Sequence, residues 1–300
     1  MTKGIDLSWK LEEIELLNPI VLCGGMLNDA LILKAIDFGI GAVTLGTYSS
    51  KALSSHPKPW LYKLKGSDCY VNSYGIRHSY FEKENFIKKT VAYAHSKKVK
   101  VICSYVEREP EISEKAVKLF EEAGCDIVEY NPTPLVMGCS GKDPGDLLDP
   151  VNLVKLTSEH IKVASLSSSI PISVKFPSTI SNVVRAWNQF VESGASIAHI
   201  MNAIVPAFVL VDGEKYFKTE RGFGGMSGEC VKPVSMARVK MLSDGGARNI
   251  IGTGGIMSLQ DVQDYISSGA SAVGVHSLIY SKGLAGLKSL IESSNKLFRA

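Results

Sequence analysis

The chain has 300 residues, of which 45% are hydrophobic and 21% are charged. This composition is typical of a folded globular protein, and the length allows one large domain or two small ones. The net charge of +3 argues against a nucleic-acid partner, and no apolar run is long enough to cross a membrane.

The N-terminal residues and the cysteines indicate where the protein works. The first residues contain no apolar core of a signal peptide, and the six cysteines are scattered without a CxxC pair. This spacing argues against a zinc ribbon, an iron–sulfur cluster and a disulfide framework. We therefore expect a cytoplasmic protein without a resident metal.

The predicted elements begin with a hairpin, in which residues 5–9 pair with residues 14–17. Apolar segments with strand character follow at residues 19–23, 39–45, 99–105, 126–131, 172–175, 196–202, 249–256 and 271–277. Segments with helical spacing follow these strands at residues 28–38, 81–95, 110–123, 150–164, 181–192, 232–242, 259–266 and 283–298. A short extended piece is predicted at residues 68–72. Residues 48–66, 132–145 and 203–228 are predicted to be loops.

Alternation of strands and helices predicts a parallel sheet. Eight such units without a domain-sized linker favour an α/β fold with a single (β/α)8 barrel over residues 1–300. The hairpin and the long loops would be additions to this barrel. In such barrels the functional residues gather at the carboxyl ends of the strands. The polar residues expected there are Gly24, Thr44, Ser104, Asn131, Lys175, Asn202, Thr253 and Ser277.

The segment from residue 249 to 256 has the features of a phosphate-binding turn. A β-branched run leads into Gly254 and Gly255, and Ser258 stands where a helix would be capped. Glycines let backbone N–H groups approach an anion, and a helix start adds further donors. Ser277, at the end of the next strand, could share the same phosphate. A purely structural turn is the alternative.

Three further side chains at strand ends suggest a ligand. Lys175 ends an apolar strand, where it needs an anion, a carbonyl or a cofactor as its partner. It could form a Schiff base or donate to an electron-rich cofactor ring; a lysine reaching out to solvent is the alternative. Asn131 and Asn202 together suit a flat polar heterocycle, although each alone could cap a loop.

Other candidates lie in loops. The glycine-rich residues 222–228, which include Ser227 and Gly228, are predicted to be a second anion-binding or ring-binding loop or a flexible linker. His276 lies beside the predicted phosphate, although a lone histidine is more often structural. His78 could contact substrate or only solvent, and Cys139 could be a mobile acid or base or an idle thiol.

The sequence resembles the dihydroorotate dehydrogenase family of flavin-binding (β/α)8 barrels almost from end to end. The resemblance lies in residues 6–8, 18–25, 71–76, 126–131, 171–175, 202, 224–233, 251–256 and 269–273. The most specific of these matches is the run at residues 224–233. Residues 137–144 and 211–213 are closer to the flavin domain of dihydropyrimidine dehydrogenase.

The resemblance implies that FMN is bound. By position, Gly254, Gly255 and Ser277 would hold its phosphate, with Ser227, Gly228 and His276 beside it. Lys175 would approach the N1–C2 carbonyl edge of the flavin, and Cys23 and Gly24 would back the ring. Asn131 and Asn202 would contact both flavin and substrate, and Asn72 would point to the substrate.

The chain departs from the family at the substrate side. The Cys or Ser that serves as the base in the family is replaced by Thr133, and a substrate-binding Asn is replaced by Leu135. A lysine after the second strand is replaced by Gly46, and a hydroxyl after Asn202 by Ala203. These departures predict a family member that has diverged from orotate synthesis.

The leading prediction is an FMN-dependent oxidoreductase that transfers hydride between flavin N5 and a small polar or cyclic substrate. Thr133, Cys139 and Lys175 are the catalytic candidates. The alternatives are a genuine dihydroorotate dehydrogenase with Thr133 as base, a non-redox lyase or aldolase using Lys175, and an inactive flavin-binding protein. We expect a soluble electron donor or acceptor and, from the resemblance, a homodimer.

Overall fold

The computed structural model describes residues 9–53, 56–137 and 144–299. Within them, eight parallel strands close into a barrel in the order β6-β7-β8-β1-β2-β3-β4-β5. The strands are β1 (Ile20–Leu22), β2 (Ala42–Tyr48), β3 (Lys100–Tyr105), β4 (Ile127–Tyr130), β5 (Ile172–Lys175), β6 (Ile197–Ile200), β7 (Ile250–Thr253) and β8 (Ala272–Val275). The predicted (β/α)8 barrel is confirmed.

A helix follows each barrel strand and packs on its outer face. These helices are α1 (Asp29–Asp37), α2 (Tyr80–Ser96), α3 (Ser113–Glu122), α4 (Pro150–Ser167), α5 (Val183–Glu192), α6 (Lys232–Asp244), α7 (Leu259–Ser267) and α8 (Ser277–Arg299). Side chains of Asn28, Ser79 and Asn182 cap α1, α2 and α5. The last of these, α8, is two helical segments joined at Gly283 (φ +60°), so the predicted helix from about residue 283 is confirmed, and the sequence analysis did not predict the short segment from Ser277 that precedes it.

The barrel interior is built in layers, because successive side chains of a strand point to opposite faces. Its lower layer is apolar and takes one residue from each of seven strands: Val21, Ala42, Ile102, Ile127, Ile197, Ile251 and Ala272. A hairpin of Trp9–Leu11 and Ile14–Leu16 covers this end of the barrel, and its Leu11 and Leu16 pack into the same cluster. This end is therefore sealed, and a ligand must enter from the other.

A four-stranded antiparallel sheet stands over the open end of the barrel. Its strands are Leu61–Lys63, Cys69–Asn72, Phe223–Gly228 and Ile204–Phe208. The prediction of loops at residues 48–66 and 203–228 is thus partly wrong, and the glycine-rich residues 222–228 are mainly a strand. Glycine is needed there for close packing: a Cβ on Gly224 would lie 2.6 Å from the carbonyl oxygen of Asn72.

Two smaller features also differ from the sequence predictions. The loop after β4 contains a single-turn helix, Thr133–Val136, and a 3₁₀ turn, Gly145–Leu148. Cys103 on β3 and Cys125 before β4 are joined by a disulfide. The two cysteines are 22 residues apart in sequence and form no recognisable motif. They come together because β3 pairs with β4.

Candidate active site

A cavity of about 630 Å³ opens at the carboxyl ends of the barrel strands, below the four-stranded sheet. This volume lies in the range of small-molecule and cofactor sites. Both of the predicted halves of the site line it: the glycines and Ser277 at one part, and the three asparagines at another. Cys139 lies outside the described residues, so its proposed role stays a prediction.

The floor of the cavity is the upper layer of the barrel interior. It lies two residues beyond the apolar layer on each strand and is largely polar. The layer consists of Cys23, Thr44, Ser104, Glu129, Lys175, His199, Thr253 and Gly274. All of these except Ser104 and His199 line the cavity directly. The apolar layer therefore belongs to the packed core, and the polar layer above it supplies the side chains that can contact a ligand.

Lys175 is the cation of this floor. Its residue is only 7% exposed, and within the described chain its ammonium group makes no hydrogen bond and no ion pair. A buried charge without a partner is costly, so the position favours a ligand that brings a carbonyl oxygen or an anion to it. This agrees with the sequence expectation that Lys175 needs a ligand.

Glu129 and His199 form a fully buried pair in the same layer. Nδ1–H of His199 donates to Oε2 of Glu129 at 2.5 Å. Burial would raise the pKa of Glu129, but His199 and Lys175 outweigh it and lower that pKa to about 2. The carboxylate is therefore ionised, and it fixes the tautomer of the imidazole.

The sequence analysis missed both members of this pair. Each lies inside an apolar strand rather than at its end, in the runs Ile127–Tyr130 and Ile197–Ile200. The signal was the period of two: each follows by two residues an apolar side chain that faces the barrel axis. A charged or imidazole side chain on the inward face of such a strand is therefore a candidate site residue, as the strand-end residues are.

Asn131 and Asn202 meet as predicted. The side-chain amide of Asn202 donates to Oδ1 of Asn131 at 2.8 Å, and Nδ2 of Asn131 donates to Thr47 at 2.9 Å. Asn72 comes from the overlying sheet and donates only a long bond, 3.4 Å, to the carbonyl oxygen of Gly225. Amides from the barrel and from the sheet thus face one cavity.

Thr133 follows Asn131 and lines the cavity. Its Oγ1 is buried and has no hydrogen-bond partner among the described residues. A hydroxyl acts as a base only when a neighbouring group takes its proton. Among the described residues Thr133 has no such neighbour, and its Oγ1 is closed off from the cavity, so the geometry favours neither a base nor a hydrogen bond to a ligand at this hydroxyl.

The paired glycines form the predicted cradle. Gly254 and Gly255 have φ of +134° and +70°, and a Cβ on Gly255 would lie 2.9 Å from the carbonyl oxygen of Gly228. The two glycine segments therefore meet, as expected for Ser227 and Gly228 beside Gly254 and Gly255. Only residues without a side chain allow this approach.

The helix after this cradle does not contribute as the sequence suggested. Asp261 accepts hydrogen bonds from the backbone N–H groups of Met257 and Ser258, at 2.9 and 2.8 Å, and Ser258 caps α7 in return. The N–H groups of Met257 and Ser258 are therefore already used, and the negative charge of Asp261 is paired with Lys232. An anion would be bound by the glycine backbone and by Ser277 instead.

His276 occupies its position through two contacts of its ring. Nδ1–H donates to the carbonyl oxygen of Cys23 at 3.1 Å, and Nε2 accepts from the hydroxyl of Tyr280 at 2.6 Å. Burial lowers the pKa of His276 to about 4, so the ring is neutral at pH 7. Its side chain therefore provides no charge for a phosphate, and a contact with one would come from its backbone.

Gly46 lies within β2 and has a backbone that only glycine adopts easily. Its φ is +95°, and a Cβ would lie 2.5 Å from the carbonyl oxygen of Ser104. Its own carbonyl oxygen accepts from the backbone N–H of Gly25 at 2.9 Å. This backbone has no room for a side chain at residue 46.

The residues present fit a flavin mononucleotide. The glycine cradle would be filled by a Cβ, the amide pair faces the cavity, and the buried cation of Lys175 lacks a partner. The glycine cradle suits a phosphate, and the amide pair and the lysine suit a flat ring with carbonyl edges.

Two classes of feature are absent from the described residues. No helix between residues 9 and 299 that the structure describes is both long and apolar enough to span a bilayer. In the same residues, no three His, Cys, Asp or Glu side chains are grouped to hold a metal ion.

The position of the cavity places the chain among (β/α)8-barrel enzymes that bind their ligands at the carboxyl ends of the strands. The sequence narrows this class. The profile of the family described as dihydroorotate dehydrogenase matches residues 6–297, and the chain belongs to this family. It is thus an oxidoreductase that acts on a CH–CH group, in a family of flavoproteins of pyrimidine metabolism, as the resemblance predicted.

Curated relatives agree over nearly the whole chain. A protein of Thermoplasma acidophilum is 27% identical over 296 residues, which cover 97% of this chain and 93% of the relative. Proteins of Geotalea daltonii and Methanocaldococcus jannaschii are 27% and 26% identical, each covering 90% of this chain and 86% of the relative. All three are named dihydroorotate dehydrogenase B (NAD(+)), catalytic subunit.

Proposed function

We propose that the chain is an FMN-dependent oxidoreductase whose substrate is a small polar cyclic molecule other than dihydroorotate. The observation that carries the cofactor assignment is Lys175, a buried cation that forms no hydrogen bond and no ion pair within the described residues, on the floor of a cavity that also contains a glycine cradle. The family membership supports the same assignment, because the resemblance implies FMN.

When bound, FMN supplies hydride transfer at its N5. In this proposal, backbone N–H groups of Gly254 and Gly255 and the hydroxyl of Ser277 hold the phosphate, next to Ser227 and Gly228. Lys175 donates to the carbonyl edge of the ring and stabilises negative charge there. These roles follow from the positions of the residues around one cavity.

The substrate side depends on amides. We propose that Asn131, Asn202 and Asn72 orient a ring that bears carbonyl and N–H groups, because an amide can satisfy both. Thr133 lines the substrate side of the cavity, but its hydroxyl oxygen is buried away from it. Cys139 remains a candidate for moving the substrate proton.

Divergence from orotate synthesis is supported by two positions. Gly46 leaves no room for the flavin-side lysine of the family, and Leu135 is fully buried where the family has a substrate-binding amide. An apolar side chain cannot replace the hydrogen bonds of that amide. A substrate with fewer polar groups than dihydroorotate would fit this cavity better.

The test is a comparison of reductants of the protein-bound flavin. Under anaerobic conditions, full-length protein is mixed with dihydroorotate or with dihydrouracil, which lacks the carboxylate, and flavin bleaching is followed by absorbance. We expect dihydroorotate to bleach the flavin no faster than dihydrouracil does. Fast bleaching by dihydroorotate with formation of orotate would contradict the proposed divergence.

Genuine dihydroorotate oxidation is the second candidate, and the names of the relatives favour it. In that case Thr133 would have to act as base. Orotate formation that falls sharply in Thr133→Ala, with flavin content unchanged, would support this candidate. A Thr133→Ala variant that behaves as the wild type would place the base elsewhere.

The route of the electrons is a further part of the proposal. The relatives are named as catalytic subunits of an NAD(+)-linked enzyme. We propose that this chain exchanges electrons with a soluble donor or acceptor and forms a homodimer. Reduction of the flavin by NADH without any other protein would support direct exchange, and its absence would indicate a partner subunit.

A further inference from the structure

The floor of the cavity contains a thiol next to an imidazole and a carboxylate. Sγ of Cys23, at the end of β1, lies 3.6 Å from Nε2 of His199, whose Nδ1–H donates to Glu129 at 2.5 Å. All three residues are at most 2% exposed. A nucleophile, a base and a group that orients the base are thus in contact in one buried row, which is the arrangement that activates thiols and hydroxyls in enzymes.

The neighbours of Cys23 leave its sulfur in a positive environment. Around it, β5 contributes the ammonium of Lys175, β6 the imidazole of His199 and β4 the carboxylate of Glu129. β7 contributes the neutral Thr253, whose hydroxyl lies 3.7 Å from the sulfur and 2.7 Å from Nε2 of His199, so the thiol and this hydroxyl share the imidazole. The carboxylate is held by His199. The cations of the floor therefore act on the thiol, and burial is the opposing effect.

The shifts of the two partners agree in direction. Burial would raise the pKa of Cys23, but Lys175 and His199 outweigh it and lower that pKa. Burial and Lys175 would lower the pKa of His199, but Glu129 and Cys23 outweigh them and raise it. Both directions favour proton transfer from sulfur to imidazole.

The fold makes room for this sulfur. A Cβ on Gly274 of the neighbouring β8 would lie 2.5 Å from Sγ of Cys23 and 2.1 Å from Oγ1 of Thr253. Both Cys23 and the unpaired Lys175 line the cavity, so a molecule in the cavity meets the thiol and a free cation together.

We propose that Cys23 is a second reactive centre of this protein, a thiolate paired with the imidazolium of His199 and open to small soft electrophiles that enter the cavity. With an alkyl iodide, a sulfur–carbon bond forms while the carbon–iodine bond breaks and iodide leaves with its electrons. A thiolate releases no proton in this step. The proposal does not depend on which cofactor or substrate the barrel binds.

The experiment is alkylation of the reduced full-length protein with iodoacetamide between pH 5 and pH 10, with the labelled cysteines identified by mass spectrometry. An ordinary thiol, with a pKa of about 8.5, is only a few per cent ionised at pH 7. We expect labelling of Cys23 to be half-maximal at a pH below that of an ordinary thiol. Cys230, whose pKa is raised to about 12 by burial and by Cys69, is the high-pH comparison in the same digest.

Variants of His199 and Glu129 test whether the ion pair, rather than burial, sets the pH at which Cys23 is labelled. In His199→Gln and in Glu129→Gln we expect the half-maximal pH of Cys23 to rise by about one to three units, the range of an opposite charge in contact. His276→Gln is the matched control, because His276 bonds the backbone of Cys23 and not its sulfur. The control should leave the profile unchanged.

A second measurement does not depend on access of the reagent or on the folding of the histidine variant. Thiolate absorbs near 240 nm, and wild type minus Cys23→Ser gives the ionisation of this one sulfur as the pH is raised. A step below about pH 8.5, the pKa of an ordinary thiol, supports the proposal. A step at or above about pH 8.5, or a labelling profile that His199→Gln does not move, overturns it.

FMN provides an independent comparison. Where flavin absorbance shows that FMN is bound, we expect slower labelling of Cys23, because the floor is covered. Equal labelling with and without bound FMN overturns the position of the thiol on the floor. A protein that binds no flavin but carries a thiolate at Cys23 would contradict the proposed function and leave this inference standing.

Discussion

Gly255→Ala is the substitution that tests the glycine cradle most specifically. Its Cβ would lie 2.7 Å from Cβ of Lys232 and 2.9 Å from the carbonyl oxygen of Gly228, closer than such atoms approach without displacement. The second neighbour is backbone, so residue 255 and residue 228 must move apart. The cradle then opens where the phosphate is expected to bind.

Two contributions to the effect can be separated. A left-handed conformation costs an alanine about 1–2 kcal/mol of folding free energy. Loss of one hydrogen bond to a charged group costs about 1.5–3 kcal/mol of binding free energy. The second value corresponds to an FMN affinity that is about tenfold to a hundredfold weaker.

Gly39→Ala is the matched control, because Gly39 has the same φ of +70° and a Cβ there would meet nothing within 4 Å. It lies between α1 and β2, at the sealed end of the barrel. Both variants should lose the stability that the left-handed conformation costs an alanine, and Gly255→Ala should lose more in urea unfolding because its Cβ displaces the backbone. Only Gly255→Ala should lose FMN affinity in a fluorescence titration. Equal FMN affinity in the two folded variants would refute the cradle.

Three further predictions concern the same end of the barrel. Replacing Lys175 by Met should lower the midpoint potential of the bound flavin by about 30–65 mV in a dye-equilibrium titration, the equivalent of about 1.5–3 kcal/mol for two electrons; an unchanged potential would mean that Lys175 does not contact the ring. The pKa of His276 is lowered to about 4 by burial, so the unfolded chain takes up a proton first and stability falls from pH 6.5 to pH 4. His276→Gln should flatten this loss by about 1.4 kcal/mol per pH unit in urea unfolding, and an equally steep loss would mean that the histidine is not the cause. Gly46→Lys should destabilise the fold by about 1–3 kcal/mol rather than restore a family feature, because its φ is +95°; wild-type stability would show that the backbone accepts a side chain.

The barrel could be predicted because its signals are local. Each strand is a short apolar run and each helix has its own spacing, and eight repeats leave little choice of topology. The sheet over the cavity could not be predicted in the same way. Its strands Cys69–Asn72 and Phe223–Gly228 lie far apart in sequence, and the second contains three glycines, which locally favour a loop.

In the candidate site, too, some residues could be predicted from local sequence and others could not. Lys175, Asn131 and Asn202 follow apolar strands, so their place at the barrel mouth could be predicted from the strand ends. The contacts of Glu129 with His199 depend instead on which face of each strand points inward and on the distance across the barrel. A strand end shows neither of these.

The use of donors at α7 shows another limit of sequence reasoning. Ser258 was correctly predicted to cap the helix, but a cap that is satisfied by Asp261 withdraws the same N–H groups from any ligand. Capping and anion binding compete for one set of donors. Which of the two applies is decided by the third residue of the helix.

The central claim is that this barrel holds FMN by its phosphate. The most direct measurement is a pair of equilibrium titrations of the full-length protein, one with FMN and one with riboflavin, which has the same ring and no phosphate. The account predicts saturation with about one FMN per chain and an affinity for riboflavin that is about tenfold to a hundredfold weaker. Equal affinities, or a protein that contains no flavin and takes up none, would contradict it.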